Sequence, residues 1–176
     1  MTSPEVLVLA TGGTIDKIYH DAKSAYEIGD PQSDDIFQRA GVTFTYAVET
    51  ILSKDSLDFT DADRETVARA AVGSPTRCVL VTHGTDTMAE TARVVAHALR
   101  DAGSDHTVVF VGSLSPARFR ETDAEFNVGF AAAAVQILPP GCYIAMSGRV
   151  FDPFAVRKNR DANRFEAAPP LAAAGD

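Results

Sequence analysis

The chain has 176 residues, a formal net charge of −8 and 45% hydrophobic side chains, values ordinary for one globular domain. There is no basic run to neutralise a phosphate backbone, and no apolar stretch reaches the length of a membrane span, so neither nucleic acid nor a membrane is an expected partner. Cys78 and Cys142 provide neither a disulfide framework nor zinc-ligand spacing; they read as reduced thiols in core strands, and with no signal-like leader before the first apolar run the expected compartment is the cytoplasm.

Residues 5–10 form the first expected strand, an apolar run entering Thr11-Gly12-Gly13-Thr14. Residues 12–30 are polar and read as one long loop, closed by the turn signal Asp30-Pro31. A short helix at 34–39 and a β-branched, aromatic strand at 42–48 follow, then a loop over 53–59. Thr60 is the expected N-cap of a helix over 61–72, with Asp61 and Asp63 in the first turn where the helix dipole favours negative charge. Gly73-Ser74-Pro75 stops it. A strand at 77–82 runs into a helix over 86–101 that carries Met88, Ala92, Val95 and Leu99 on one face, with Gly103 at its end.

A strand at 106–111, a loop at 112–119 and a helix at 121–138 come next. In that helix Phe126, Phe130 and Ile137 mark the expected apolar side, and the alanines at 131–134 permit close packing on a sheet. Pro139-Pro140-Gly141 separates it from the last clear strand, 142–147. Residues 151–164 read as a loop and 169–176 as a frayed tail. Strands alternating with helices of this length imply βαβ units, hence an α/β fold with a parallel sheet covered by helices on both faces.

Two segments carry the chemistry. Thr11-Gly12-Gly13-Thr14 and His83-Gly84-Thr85-Asp86-Thr87 each follow a buried strand, and in a parallel sheet both would lie at the carboxyl edge, where such sheets bind ligands. The first lacks the third glycine of a dinucleotide fingerprint and the Gly-Lys-Ser/Thr of a phosphate loop. It reads either as a tight turn whose threonines bond their own backbone or as a site where a hydroxyl attacks a carbonyl. The second reads either as a helix start, with Thr87 and Glu90 in a capping box, or as a helix N-terminus facing a carboxylate or oxyanion. His83 reads as a hydrogen-bonded rim residue rather than a general base. Lys158 is either part of a solvated basic loop with Arg157 and Arg160, or a proton acceptor for Thr85.

Together these residues resemble the bacterial-type L-asparaginase family of asparaginase/glutaminases, from about residue 5 to residue 159. The resemblance rests on Leu-Ala-Thr-Gly-Gly-Thr-Ile at 9–15, Thr-His-Gly-Thr-Asp-Thr-Met-x-Glu-Thr at 82–91 and Lys-Ser-Ala-Tyr at 23–26. Phe126-Asn127 and Val156-Arg157-Lys158-Asn159 add to it. It implies a flavodoxin-like asparaginase N-terminal domain over residues 1–166, a flexible tail over 167–176, and no counterpart of the family's second domain. By position it makes Thr14 the nucleophile, Tyr26 its loop partner, and Thr85, Asp86 and Lys158 a second cluster. Ser53 would meet the substrate carboxylate, Asp86 its amine, and Gly13 and Lys54 would border the substrate. Lys54 stands where many members have Gln, and its cation would repel the amine unless it meets a carboxylate.

The implied reaction converts L-asparagine and water to L-aspartate and ammonia by double displacement, without metal or organic cofactor, in a homo-oligomer (a dimer or tetramer). Two other readings accompany it. One is an amino-acid-binding regulatory domain without turnover, the other a subunit completed by a separate C-terminal domain.

Overall fold

The computed structural model describes residues 3–20 and 25–169, leaving aside the His20 side chain. Lys23 and Ser24 of the Lys-Ser-Ala-Tyr segment lie outside the described residues, as do residues 170–176 of the expected tail. The centre is a six-stranded sheet formed by β1 (Val6–Gly12), β4 (Tyr46–Lys54), β5 (Cys78–Thr82), β6 (Thr107–Val111), β7 (Gly141–Met146) and β8 (Arg149–Phe151). Its order is β4-β1-β5-β6-β7-β8, all parallel except β8. The five parallel strands therefore follow the 2-1-3-4-5 order of flavodoxin-like sheets, whose direction of winding reverses between the first and third strands. That crevice lies between the carboxyl ends of β1 and β5, which are the two strands leading into the Gly-Thr turns.

Helices α1 (Gln32–Ala40) and α4 (Ala124–Ile137) cover one face of the sheet, and α2 (Asp61–Val72) and α3 (Met88–Asp101) the other. Met88, Ala92, Val95 and Leu99 are buried as the spacing of α3 requires. Thr60 does cap α2: its Oγ1 accepts from the Asp63 N–H, and the Asp63 carboxylate accepts from the Thr60 N–H at 2.8 Å. At the end of α3, Ser104 N–H bonds Leu99 O and Gly103 N–H bonds Arg100 O, a Schellman closure.

Several elements depart from the sequence reading. The expected loop at 12–30 contains a hairpin, β2 (Lys17–His20) against β3 (Ala25–Ile28), whose four-residue strands are too short and mixed to show a clear hydrophobic alternation. The strand expected at 42–48 runs instead over Tyr46–Lys54, because β1 begins at Val6 and offers Tyr46 the first parallel partner. Val42 and Phe44 remain apolar for another reason: they pack beside Phe37 on the α1 face. The expected loop at 151–164 holds most of a second hairpin, β9 (Val156–Asn159) with β10 (Arg164–Ala167), nailed to the core by buried Val156 and Phe165. Ordered structure thus continues past residue 166.

Helix α4 meets the expected apolar side only at Phe130, which packs partly buried against the core. Phe126 and Ile137 are 62% and 80% exposed, while Ala124, Val128, Ala131, Ala134 and Val135 lie on the sheet. This helix is apolar nearly all round, so periodicity does not choose a face; the small side chains win the sheet side because they permit close approach. Both cysteines are free and half-buried, and burial raises the pKa of each thiol.

Candidate active site

The site begins with a backbone contact. Gly12 and Gly13 have φ of +95° and +89°, and Gly13 presses directly on the β5 turn: a Cβ there would lie 2.4 Å from the Gly84 nitrogen. Gly84 in turn has no room for a side chain, since its Cβ would sit 2.6 Å from the Ser56 hydroxyl. Thr11 Oγ1 donates to Thr82 O at 2.7 Å, stapling the ends of β1 and β5 together. The two turns picked out in the sequence are thus in van der Waals contact, at the crevice where the sheet's winding reverses.

Thr14 opens a short 3-10 turn, Thr14–Asp16, directly after the glycines. It is half-buried, and its hydroxyl has no hydrogen bond among the described residues. Thr85 is buried, 4% exposed, with its Oγ1 2.7 Å from Lys158 Nζ. Lys158 also donates to Asp86 Oδ1 at 3.0 Å, and Arg160 reaches the same oxygen at 3.5 Å. Alternation along β9 explains how Lys158 gets there. Val156 is anchored in the core, and a residue two positions on points to the same side. The basic loop reading of Lys158 therefore gives way: its side chain is only 15% exposed.

Other expected residues sit differently. The Gly13 N–H is already bonded to Lys54 O at 3.1 Å, so it is not a free donor for an oxyanion. The Lys54 ammonium, expected to border the substrate, is held by the Asp63 carboxylate at 2.8 Å. That contact, with the Thr60 N–H and hydroxyl, draws the Asp63 pKa down to about 2. Ser53 is exposed on β4 and makes no hydrogen bond among the described residues. The serine facing the Gly84 turn is Ser56, three positions on; it is 1% exposed and its hydroxyl is unpartnered. No local signal in the sequence ranks Ser56 above Ser53; two serines three apart could not be told apart without the β4 register.

Thr87 does not close a capping box with Glu90. Its hydroxyl donates to Ser56 O at 2.7 Å, tying the two loops together, and Glu90 pairs with Arg64. His83 is fully buried rather than on the rim. Its Nδ1 bonds Gly84 O at 2.7 Å, its ring lies against Phe59 and Phe110, and burial lowers its pKa to about 4. It is a neutral core residue that holds the turn from beneath. Tyr26, on β3, is half exposed and packs against Tyr19 and Phe119. No hydrogen bond joins it to Thr14.

The surrounding charges are arranged in pairs. Lys17 meets Asp55 at 2.7 Å. Burial alone would raise the Asp55 pKa, but Lys17, the Leu57 N–H and the charge of Lys158 outweigh it and bring it below its ordinary value. Among the described residues no cluster of three or more His, Cys, Asp or Glu could hold a metal ion. A cleft of about 740 Å³ lies beside the hairpin, lined by Asp30, Gln32, Arg118, Phe119 and Arg120 among others, and it does not include Thr85 or Lys158.

Residues 5–173 match the family model described as asparaginase, N-terminal. The chain belongs to this family. An L-asparaginase of Thermococcus kodakarensis is 32% identical over 155 residues, which cover 83% of this chain and 45% of that protein. L-asparaginase 2 of Escherichia coli is 31% identical over 165 residues, covering 85% and 44%. The structure of the thermostable L-asparaginase from Thermococcus kodakarensis superposes with a TM-score of 0.80 at 27% identity, over 92% of this chain and 50% of that one. The chain spans about half the length of the curated relatives it matches. No helix among the described residues is long and apolar enough to cross a membrane.

Proposed function

We propose that this chain hydrolyses the side-chain amide of L-asparagine, giving L-aspartate and ammonia through an acyl-threonine intermediate. The observation that carries the proposal is the Lys158 amine 2.7 Å from Thr85 Oγ1 and 3.0 Å from Asp86, on a turn packed against the one that ends in Thr14. A hydroxyl beside an amine, with a carboxylate orienting that amine, is the arrangement by which a weak nucleophile is activated.

In this reading Thr14 Oγ1 attacks the amide carbon and its proton passes to the leaving nitrogen, which departs as ammonia. The Thr85–Lys158 pair then takes a proton from the water that opens the ester and hands it to the departing Thr14 oxygen, so aspartate leaves and both threonines return to their starting state. The Thr85 N–H has no partner among the described residues and is free to stabilise the oxyanion; one such donor is worth about 10²–10³ in rate. The free oxygen of Asp86 receives the substrate ammonium, and the unpartnered Ser56 hydroxyl, rather than Ser53, donates to its carboxylate. Tyr26 borders Thr14 from the hairpin. The working unit in this proposal is a cytoplasmic homo-oligomer.

A second assignment of the nucleophile is favoured by a specific contact: Lys158 touches Thr85, and among the described residues no basic group is bonded to Thr14. The decisive experiment stops the reaction with acid and maps the acylated peptide by mass spectrometry. Acylation on residues 9–17 supports Thr14, and acylation on 82–90 assigns the attack to Thr85. Calorimetric binding of asparagine with no ammonia release would instead favour an amino-acid-binding domain. Ammonia release only after addition of a separate C-terminal domain would favour the subunit reading.

A further inference from the structure

We propose that Phe119 is a positioning residue that holds the β2–β3 hairpin, and with it Tyr26, against the body of the domain; its link to turnover rests on the amidohydrolase reading above. A two-stranded ladder on its own is marginal in water, so something must hold this one. Its base is well secured. Gly29 N–H bonds Asp16 O at 2.8 Å, the Gln32 N–H bonds Asp16 Oδ1 at 2.8 Å, and Lys17 pairs with Asp55. Further along the hairpin the anchoring changes character. Tyr19 and Tyr26 are cross-strand partners with ring centroids 5.2 Å apart, both about half exposed, and their remaining ring contact among the described residues is Phe119, 6.2 Å from Tyr26 at 51°.

Phe119 is a firm place to lean. Its N–H bonds Pro116 O at 3.0 Å in a tight turn, and two residues earlier Ala117 N–H bonds Ile15 O at 3.1 Å, inside the Thr14 turn. The start of that loop is fixed by the Asp123 carboxylate, which accepts from the Leu114 and Ser115 N–H groups at 3.0 Å. Asn127 locks the arrangement from α4 by donating to Asp123 and to Gly112 O. One loop thus grips both the strand-end turn that carries Thr14 and the hairpin that carries Tyr26. A polar main-chain bond makes the first contact and an aromatic ring the second.

Aromatic pairs of this geometry shift a local equilibrium by about two- to tenfold. Phe119→Ala is expected to speed amide hydrogen exchange over residues 17–20 and 25–28 by that factor, with the sheet and helices unchanged. It is expected to lower kcat for asparagine about tenfold with KM within twofold, and Phe119→Tyr should restore both. The chain has no tryptophan, so Phe119→Trp supplies a single indole, excited selectively over the tyrosines, whose emission should change with Tyr26→Leu. Unchanged exchange over 17–20 and 25–28 in Phe119→Ala overturns the proposal. So does faster exchange throughout the domain, which would make Phe119 a general packing residue, and so does failure of Phe119→Tyr to restore the hairpin. If the unaltered protein releases no ammonia from asparagine, the amidohydrolase reading falls, and the exchange comparison still decides for or against Phe119.

Discussion

The two sides of the candidate site are built by opposite means. On the strand side, the Gly12-Gly13 and His83-Gly84 turns meet main chain to main chain, with separations that leave no room for a methyl group. On the hairpin side, Tyr19, Tyr26 and Phe119 meet ring to ring at the surface, each 42–52% exposed. A contact between backbones has one solution, whereas a contact between exposed rings has several of similar energy. The strand side is therefore the tightly fixed one, and the hairpin side the more adaptable.

The contrast can be broken most severely at Gly13. Gly13→Ala is expected to cost more than about 4 kcal/mol or to prevent folding, because the new Cβ strikes backbone at a φ that suits glycine alone. Gly103→Ala, with positive φ but nothing within 4 Å, should cost only about 1–2 kcal/mol in urea unfolding. Similar losses at the two positions would deny the strand side its special rigidity. Next in size, Lys158→Met is expected to lower kcat about 10³-fold, roughly 4 kcal/mol, with KM within threefold. Thr85→Val added to it should cost little more, since groups acting as one unit are not additive. A change confined to KM would make Lys158 a binding residue.

A third measurement tests the hinge between the two sides. Asp16 is 1% exposed; burial raises its pKa to about 7, with the Gln32 N–H partly opposing the shift. A carboxyl whose folded pKa lies above its free value of 3.8 contributes stability below about pH 4 and loses it as pH rises towards 7. Asp16→Asn should therefore match the unaltered protein at pH 4 and exceed it by roughly 2–4 kcal/mol at pH 8, measured by urea unfolding at both. Equal stabilities at pH 8 would place the titration elsewhere. The smallest effect is expected at Lys54. With its ammonium on Asp63 in a partly exposed pair, Lys54→Gln should change KM less than twofold and leave the urea-unfolding midpoint nearly unmoved. A tenfold change in KM would return Lys54 to the substrate.

The same contrast separates what could be read in the sequence from what could not. The buried strands, the capped helix α2 and the two Gly-Thr turns announce themselves because apolar runs, caps and glycines each answer a local physical demand. The β2–β3 and β9–β10 hairpins do not, since each strand is only four residues of mixed character and their positions are set by contacts distant in the chain, such as Lys17 with Asp55 and Phe165 with the core. Lys158 could be named from its motif, but that it lies under cover beside Thr85 depends on the β9 register. Ser56 and Phe119 carry no local signal at all. Each matters through a neighbour tens of residues away, Gly84 for one and Tyr26 for the other.

Burial of His83 has a practical consequence for kinetics. Histidine is the usual suspect when a pH–rate curve bends near neutrality, yet this imidazole is held uncharged until about pH 4. Within the Thr14 turn, burial instead pushes the pKa of a carboxyl, Asp16, up to about 7. Carboxyl ionisation takes up almost no heat, whereas imidazole ionisation takes up a good deal, so the midpoint of such a bend should barely move between cold and warm assays.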